Sequence, residues 1–158
     1  MKIRMLKSFL VAAGLFAFLA CQKEVAYHLY QPIPSTGWAR NDTLTFTLPP
    51  TLPAGNYAVE IGIRNKNDYR YRDLWIYVGR YLGDSNHYES EKVHLYVADK
   101  TGKWKGSGTG GLYQFTVPYL KEIKIGEGET KRTFSIASCM QDERLTGLSD
   151  IGLRILYR

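Results

Sequence analysis

The chain predicts an all-β fold: a single β-sandwich, of immunoglobulin-like or jelly-roll type, preceded by an N-terminal segment that does not belong to it. Three observations carry this. Twelve tyrosines, three tryptophans and six phenylalanines in 158 residues enrich the chain in side chains that suit a pleated, half-buried surface. Apolar and polar residues alternate with a period of two in run after run, as strands with one face on a core require. Clusters of Pro, Gly, Asn and Asp fall between most of these runs, and such residues set turns.

Taken in order, Ala26 to Ile33 opens the domain. Leu44, Phe46 and Leu48 then alternate with Thr43, Thr45 and Thr47, and Val59, Ile61 and Ile63 with Glu60, Gly62 and Arg64. Leu74, Ile76 and Val78 alternate with Trp75, Tyr77 and Gly79, and Val93, Leu95 and Val97 with His94, Tyr96 and Ala98. Further strand-like runs cover Leu112 to Val117, Leu120 to Ile125, Thr133 to Cys139 and Ile151 to Tyr157. That makes eight or nine short strands, with room for a short helical turn within 140–149. Breaks stand at Pro49-Pro50, Pro53-Ala54-Gly55-Asn56, Asn65-Lys66-Asn67-Asp68, Gly83-Asp84-Ser85-Asn86, Asp99-Lys100-Thr101-Gly102 and Gly126-Glu127-Gly128-Glu129.

The first twenty residues read differently. Lys2, Arg4 and Lys7 make a basic start, and Phe9 to Leu19 is an uninterrupted apolar run. The run is shorter than the roughly 20 residues a membrane span needs, and with a small residue before the break it has the form of a secretory signal. The break, Phe18-Leu19-Ala20-Cys21, resembles a lipobox: Ala20 lets a signal peptidase approach, and the Cys21 thiol takes a diacylglycerol by thioether linkage. Phe18 stands where a leucine is usual. The predicted organisation is a signal peptide over 1–20, a lipidated Cys21 with a short tether over 21–25, and the β-sandwich over 26–158. Several acyl chains on one residue anchor stably where a single chain is marginal, so the domain is expected to be tethered to a membrane without spanning it.

Charge narrows the partners. Three of the 21 basic residues lie in the signal, leaving 18 against 15 acids and a net charge of +3. That is too mild and too evenly spread for nucleic acid. With Cys21 lipidated, Cys139 has no disulfide partner; it sits in an alternating apolar run and reads as a small buried hydrophobe.

The search for chemistry finds little. There is no Gly-x-Ser-x-Gly, His-Glu-x-x-His or Cys-x-x-Cys motif. His28, His87 and His94 are scattered; His94 could pair with Glu89 or Glu91, but on a solvated face rather than around a metal. Gly106-Ser107-Gly108-Thr109-Gly110-Gly111 looks like a phosphate loop, yet Leu112-Tyr113-Gln114-Phe115 continues as strand where a helix N-terminus is needed, so it reads as a flexible strand connection. No catalytic residue, metal site or cofactor is expected. The aromatics are the better candidates for binding. Trp75, Tyr77, Tyr81 and Tyr96 face away from the aliphatic side of their strands. Covered by another sheet or loop they are core, the reading taken here; exposed, they form a platform for a protein or a glycan. Tyr69-Arg70-Tyr71-Arg72 reads as a polar-aromatic loop with Tyr69 and Tyr71 as exposed contacts.

Three motifs in sequence order resemble the GldH-type gliding-motility lipoprotein family of Bacteroidetes: Tyr30-x-x-x-Pro34 leading to Trp38 and Asp42-x-Leu44-x-Phe46; Ile63-Arg64-Asn65 with Tyr69-x-Tyr71-x-x-Leu74; and Leu145-x-Gly147-Leu148-x-Asp150-Ile151-Gly152-Leu153-x-Ile155. Gly102-x-Trp104-x-Gly106 fits between. These residues read as fold determinants: Arg64, Asn65, Asp68 and Asp150 tying turns to strand ends, Gly147 and Gly152 allowing close backbone passage, Trp38 plugging an end of the sandwich. The resemblance implies an outer-membrane lipoprotein that works with other envelope proteins of the gliding machinery and its associated type IX secretion system, with no enzyme activity. The alternative is a carbohydrate- or peptidoglycan-binding surface lipoprotein. Gln22-Lys23-Glu24 resembles the start of a surface-export signal, so the periplasmic and cell-surface faces both stay open. Asp42-Thr43-Leu44 resembles a Bacteroidetes O-glycosylation signal, with Thr43 as the acceptor.

Overall fold

The structure, a computed structural model, describes residues 24–82, 88–127 and 131–158. The signal segment, Cys21, the Gly83-Asp84-Ser85-Asn86 turn and His87 lie outside the described residues. Eleven strand elements are present among the described residues: β1 Val25–Pro32, β2 Trp38–Ala39, β3 Thr43–Thr47, β4 Gly55–Lys66, β5 Asp73–Tyr81, β6 Glu89–Tyr96, β7 Ser107–Thr109, β8 Leu112–Ile125, β9 Thr133–Ser138, β10 Arg144–Leu145 and β11 Leu148–Tyr157. They form a five-stranded sheet in the order β1-β11-β4-β8-β7, a four-stranded sheet β3-β9-β5-β6, and a two-stranded ribbon β10-β2. Every strand pair is antiparallel.

The two larger sheets enclose one core, and the alternation read from the sequence decides which side chains fill it. Val59, Ile61 and Ile63 of β4 and Ile151, Leu153 and Ile155 of β11 are fully buried, as are Leu74, Ile76 and Val78 of β5 and Phe134 and Ile136 of β9. Each such side chain contributes about 1.5–3 kcal/mol when removed from water. Trp38 is also fully buried, and its Nε1–H donates to the Asp42 carbonyl at 3.0 Å. On the outer surface of the five-stranded sheet Tyr30 takes the place of missing side chains. It lies over Gly152 and Gly62, paired neighbours on β11 and β4, and a Cβ on Gly152 would come within 2.7 Å of the ring. The Arg64 guanidinium sits 3.9 Å from the Tyr30 ring centre and 3.7 Å from the Asp150 carboxylate. The tie expected of Arg64 and Asp150 is therefore present, between neighbouring strands.

Four expectations are corrected. The helical turn proposed within 140–149 is absent; β10 pairs there with β2, and no helix occurs among the described residues. The runs divided at Pro118 are one strand, β8, which passes the proline with register shifts opposite Val59. Pro118 is tolerated because β7 covers only the Leu112–Gln114 stretch of β8, leaving the rest of that edge without a partner strand for a proline to disturb. The glycine-rich connection folds into ordered structure, β7 pairing back on β8 across Gly110-Gly111. Cys139 is only half-buried, just past the end of β9.

At one flank of the sandwich β5, β6 and β8 meet in a polar knot. Tyr119 Oη donates to the Glu91 carboxylate at 2.7 Å, and Arg80 donates to the same carboxylate at 2.8 Å and to Tyr119 Oη at 3.0 Å. The Tyr119 hydrogen bond, followed by Arg80, holds the Glu91 carboxyl below its ordinary value. A depressed carboxylate adds stability that is fully present above the unfolded-state value of about 4.3 and is lost as pH falls through the lower folded-state value. Denaturant midpoints are therefore expected to decline more shallowly on acidification in Glu91→Gln than in the parent. Parallel declines would show that the knot contributes nothing to acid sensitivity.

Candidate functional site

The outward face of the four-stranded sheet is where the sequence-predicted aromatics gather. Register across β5 and β6 sets Trp75 opposite His94, Tyr77 opposite Lys92, and Asp73 opposite Tyr96. Directly paired residues point to one side of a sheet, and the inner side is taken by Leu74, Ile76, Val78 and Leu95. No second sheet covers the outer one among the described residues: Tyr77 is 48% exposed, Tyr96 45% and Tyr88 57%. The expectation that these aromatics are core is overturned for Tyr77 and Tyr96, while Trp75 and Tyr81 are half-buried. The second sheet lies entirely on the aliphatic side, and alternation alone cannot say which face it will take.

The rings are organised. The Trp75 indole stacks on the His94 imidazole at 3.9 Å between centres and 3° between planes, and His94 meets Tyr96 at 4.6 Å. His94 Nε2 lies 2.7 Å from Asp73 Oδ2, so its carboxylate partner is Asp73 and not Glu89 or Glu91. Cations approach the rings from the periphery: Lys92 Nζ at 4.7 Å from Trp75, Lys105 Nζ at 5.6 Å and Arg72 at 5.8 Å from Tyr96, Lys131 Nζ at 5.7 Å from half-buried Tyr81. Such pairs are worth about 0.5–1 kcal/mol at exposed positions. They also surround the aromatics with positive charge, while the face's one paired acid, Asp73, is engaged by His94. The neighbouring Cys139 thiol pushes the Tyr77 phenol above its ordinary value.

Small residues flatten the rest of the face. Ala137 and Ser135 of β9 stand opposite Tyr77 and Gly79, with Thr43 and Thr45 of β3 beyond them. Tyr88, just before β6, lies over Gly79 and pairs its hydroxyl with Ser135 Oγ at 2.8 Å. Sequence reading missed Tyr88, because it precedes the alternating run. The sign available was the gap left by Gly79 on a face otherwise lined with rings.

The Tyr69–Arg72 segment divides. Tyr69 is buried and donates its hydroxyl to the Asp73 carbonyl at 2.7 Å, so it is a core residue and not an exposed contact. Tyr71 is half-buried and donates to Asp142 at 2.8 Å, and the same carboxylate accepts from Arg70 at 2.9 Å. Only Arg70 and Arg72 are exposed. Thr43 is exposed at the start of β3, with Leu44 turned into the core, the geometry an O-linked glycan requires. Among the described residues no group of three or more His, Cys, Asp or Glu side chains is placed to hold a metal ion.

Comparison with known proteins follows the same line. The GldH lipoprotein family model matches residues 25–155. A gliding motility lipoprotein GldH homolog from Christiangramia forsetii is 27% identical, covering 93% of this chain and 93% of its own length. The gliding motility lipoprotein GldH of Flavobacterium johnsoniae is 23% identical, covering 92% of each. Among solved structures, a fructofuranosidase from Schwanniomyces occidentalis complexed with fructose aligns with 89% of this chain and 35% of that one, at 11% identity and a TM-score of 0.39. That likeness is too slight to carry an argument.

Proposed function

We propose, from the premise that the chain belongs to the GldH lipoprotein family, that it is an outer-membrane lipoprotein held by acyl chains on Cys21. In this reading it is a non-catalytic, protein-binding component of a gliding-motility assembly associated with type IX secretion. The observation that supports a binding role is the uncovered aromatic face of the four-stranded sheet. Aromatic residues and Arg are enriched at protein interfaces, and tyrosine supplies large contact area at low entropic cost. Exposed rings are otherwise a liability on a β-sheet surface.

A glycan could also stack on Tyr77 and Tyr96. Trp75 fits that second reading less well, since its indole already carries an imidazole against one face and an ammonium 4.7 Å from its centre. The test uses the tagged, lipidated chain, gently solubilised and purified with whatever it holds. Tyr77→Ala together with Tyr96→Ala is expected to lose envelope proteins recovered with the parent, while the domain keeps its unfolding midpoint. Glycan binding by the parent, with unchanged protein recovery from the variant, would move the assignment to the carbohydrate reading. In the same material, Cys21→Ser is expected to leave the membrane fraction and remain folded.

A further inference from the structure

The opposite sheet carries a second surface, at the end of the sandwich where Glu24 and Tyr157 lie. Tyr157 N–H donates to the Glu24 carbonyl at 3.0 Å, so the chain departs towards Cys21 from beside the last strand. Three steps along the chain, through Gln22 and Lys23, lead from Cys21 to Glu24, about 10 Å when extended. At this same end β4 shifts register against β8 on either side of Val59. The irregularity opens a cavity of about 640 Å³ between β4, β8 and the end of β11.

Its lining is chemically divided. Pro118, Leu120 and Tyr157 give it an apolar wall, and Lys121 and Arg158 stand with them, the Arg158 guanidinium holding the Glu122 carboxylate and the Lys121 carbonyl at the rim. Glu60, which also lines it, has its carboxylate held by Arg154 at 3.1 Å, so its charge is met from within the sheet. Val25, on the neighbouring strand beside Leu156, is 42% exposed, and Tyr157 is 39% exposed. Apolar surface bordered by a tyrosine and by cations on long stems is the composition that lies in a headgroup layer: the stems stay in the apolar zone, the charges meet phosphate, and the ring sits at the boundary.

We propose that this end of the five-stranded sheet seats on the phospholipid headgroup layer, so that the domain stands on its membrane in one orientation. The proposal rests on the reading of Cys21 as the anchor. The occupant follows from where the chain leads: a lipid on Cys21 brings a bilayer within about 10 Å of Tyr157, and no other partner is delivered there by the chain itself. A fixed orientation would hold the aromatic face of the other sheet clear of the lipid.

Depth-dependent quenching tests it. The lipidated full chain with Cys139→Ser is reconstituted into vesicles of phosphatidylethanolamine and phosphatidylglycerol that carry nitroxide lipids, with a fluorophore on a single introduced cysteine. Pro118→Cys reports the proposed contact. Thr47→Cys reports the same end of the sandwich on the other sheet, and Gly102→Cys the far end. Quenching several-fold greater at 118 than at 47, and least at 102, is expected. Adding Lys121→Glu and Arg158→Glu should bring the value at 118 down to that at 47. Equal quenching at 118 and 47 in the parent would mean a domain swinging freely on its tether, and the proposal would fall while the anchor stood. Mass spectrometry of the reconstituted protein, made first, separates the other failure: a chain without lipid on Cys21 removes the anchor reading and this proposal with it.

Discussion

Replacing Gly147 by alanine is expected to destabilise the domain by about 3 kcal/mol or more, from backbone strain and overpacking together. Gly147 has φ +84°, a conformation in which a Cβ meets the following carbonyl and which costs a non-glycine residue about 1–2 kcal/mol. The second term is larger and local to this fold. A Cβ at 147 would overlap the backbone N and Cα of Tyr69. Tyr69 cannot retreat, because its ring is buried, its hydroxyl is bonded to the Asp73 carbonyl, and the Gly147 carbonyl accepts from Lys66 N–H at 2.8 Å. The control is Gly102→Ala. Gly102 has φ +87° with nothing near the absent side chain, so only the conformational cost of about 1–2 kcal/mol applies. Chemical denaturation of both variants decides the matter: equal losses would show that close passage beside Tyr69 is not what Gly147 provides.

Trp38→Ala is expected to cost about 3–5 kcal/mol, the range for deleting a fully buried large aromatic. The indole is wholly enclosed and bonded to the Asp42 carbonyl, and its backbone pairs with Leu145 in the β10-β2 ribbon. Removal would leave a void at one end of the core and an acceptor without its donor. Trp38→Phe keeps most of the volume and loses the hydrogen bond, so a loss of roughly 1–2 kcal/mol is expected there. A thermal midpoint for Trp38→Ala close to that of Trp38→Phe would mean that the ribbon collapses onto the vacancy and that the ring is not the plug its burial implies.

Much of the architecture was written in period-two alternation, and the reason is physical. Leu44 and Phe46, or Ile61 and Ile63, are buried because a pleated strand sends alternate side chains to opposite faces, and no tertiary information is needed to see it. What stayed hidden depended on register or on which face is covered. The β10-β2 ribbon has two residues per strand, too few to show a period. The stack of Trp75 on His94 follows from their pairing across β5 and β6, which turn composition did not specify. Tyr69 looked exposed amid charged neighbours, yet its place beneath Gly147 is set by a residue nearly eighty positions away. The aromatic candidates Trp75, Tyr77 and Tyr81 share one face by alternation; how far each is exposed was decided by the position of the other sheet.

The order of strands in the larger sheet has a temporal consequence. β11, the last of the described strands in chain order, lies between β1 and β4, and residues 148–157 supply a partner to both. Until those residues emerge, the first strand has no neighbour and the sheet is divided. The pairing joins β1 to a strand more than a hundred positions along the chain, and contacts so distant form late and slowly. Closure of this sheet is thus deferred until β11 is available to pair with β1 and β4 at once. Truncating its final ten residues should then abolish the whole fold, not merely fray one edge.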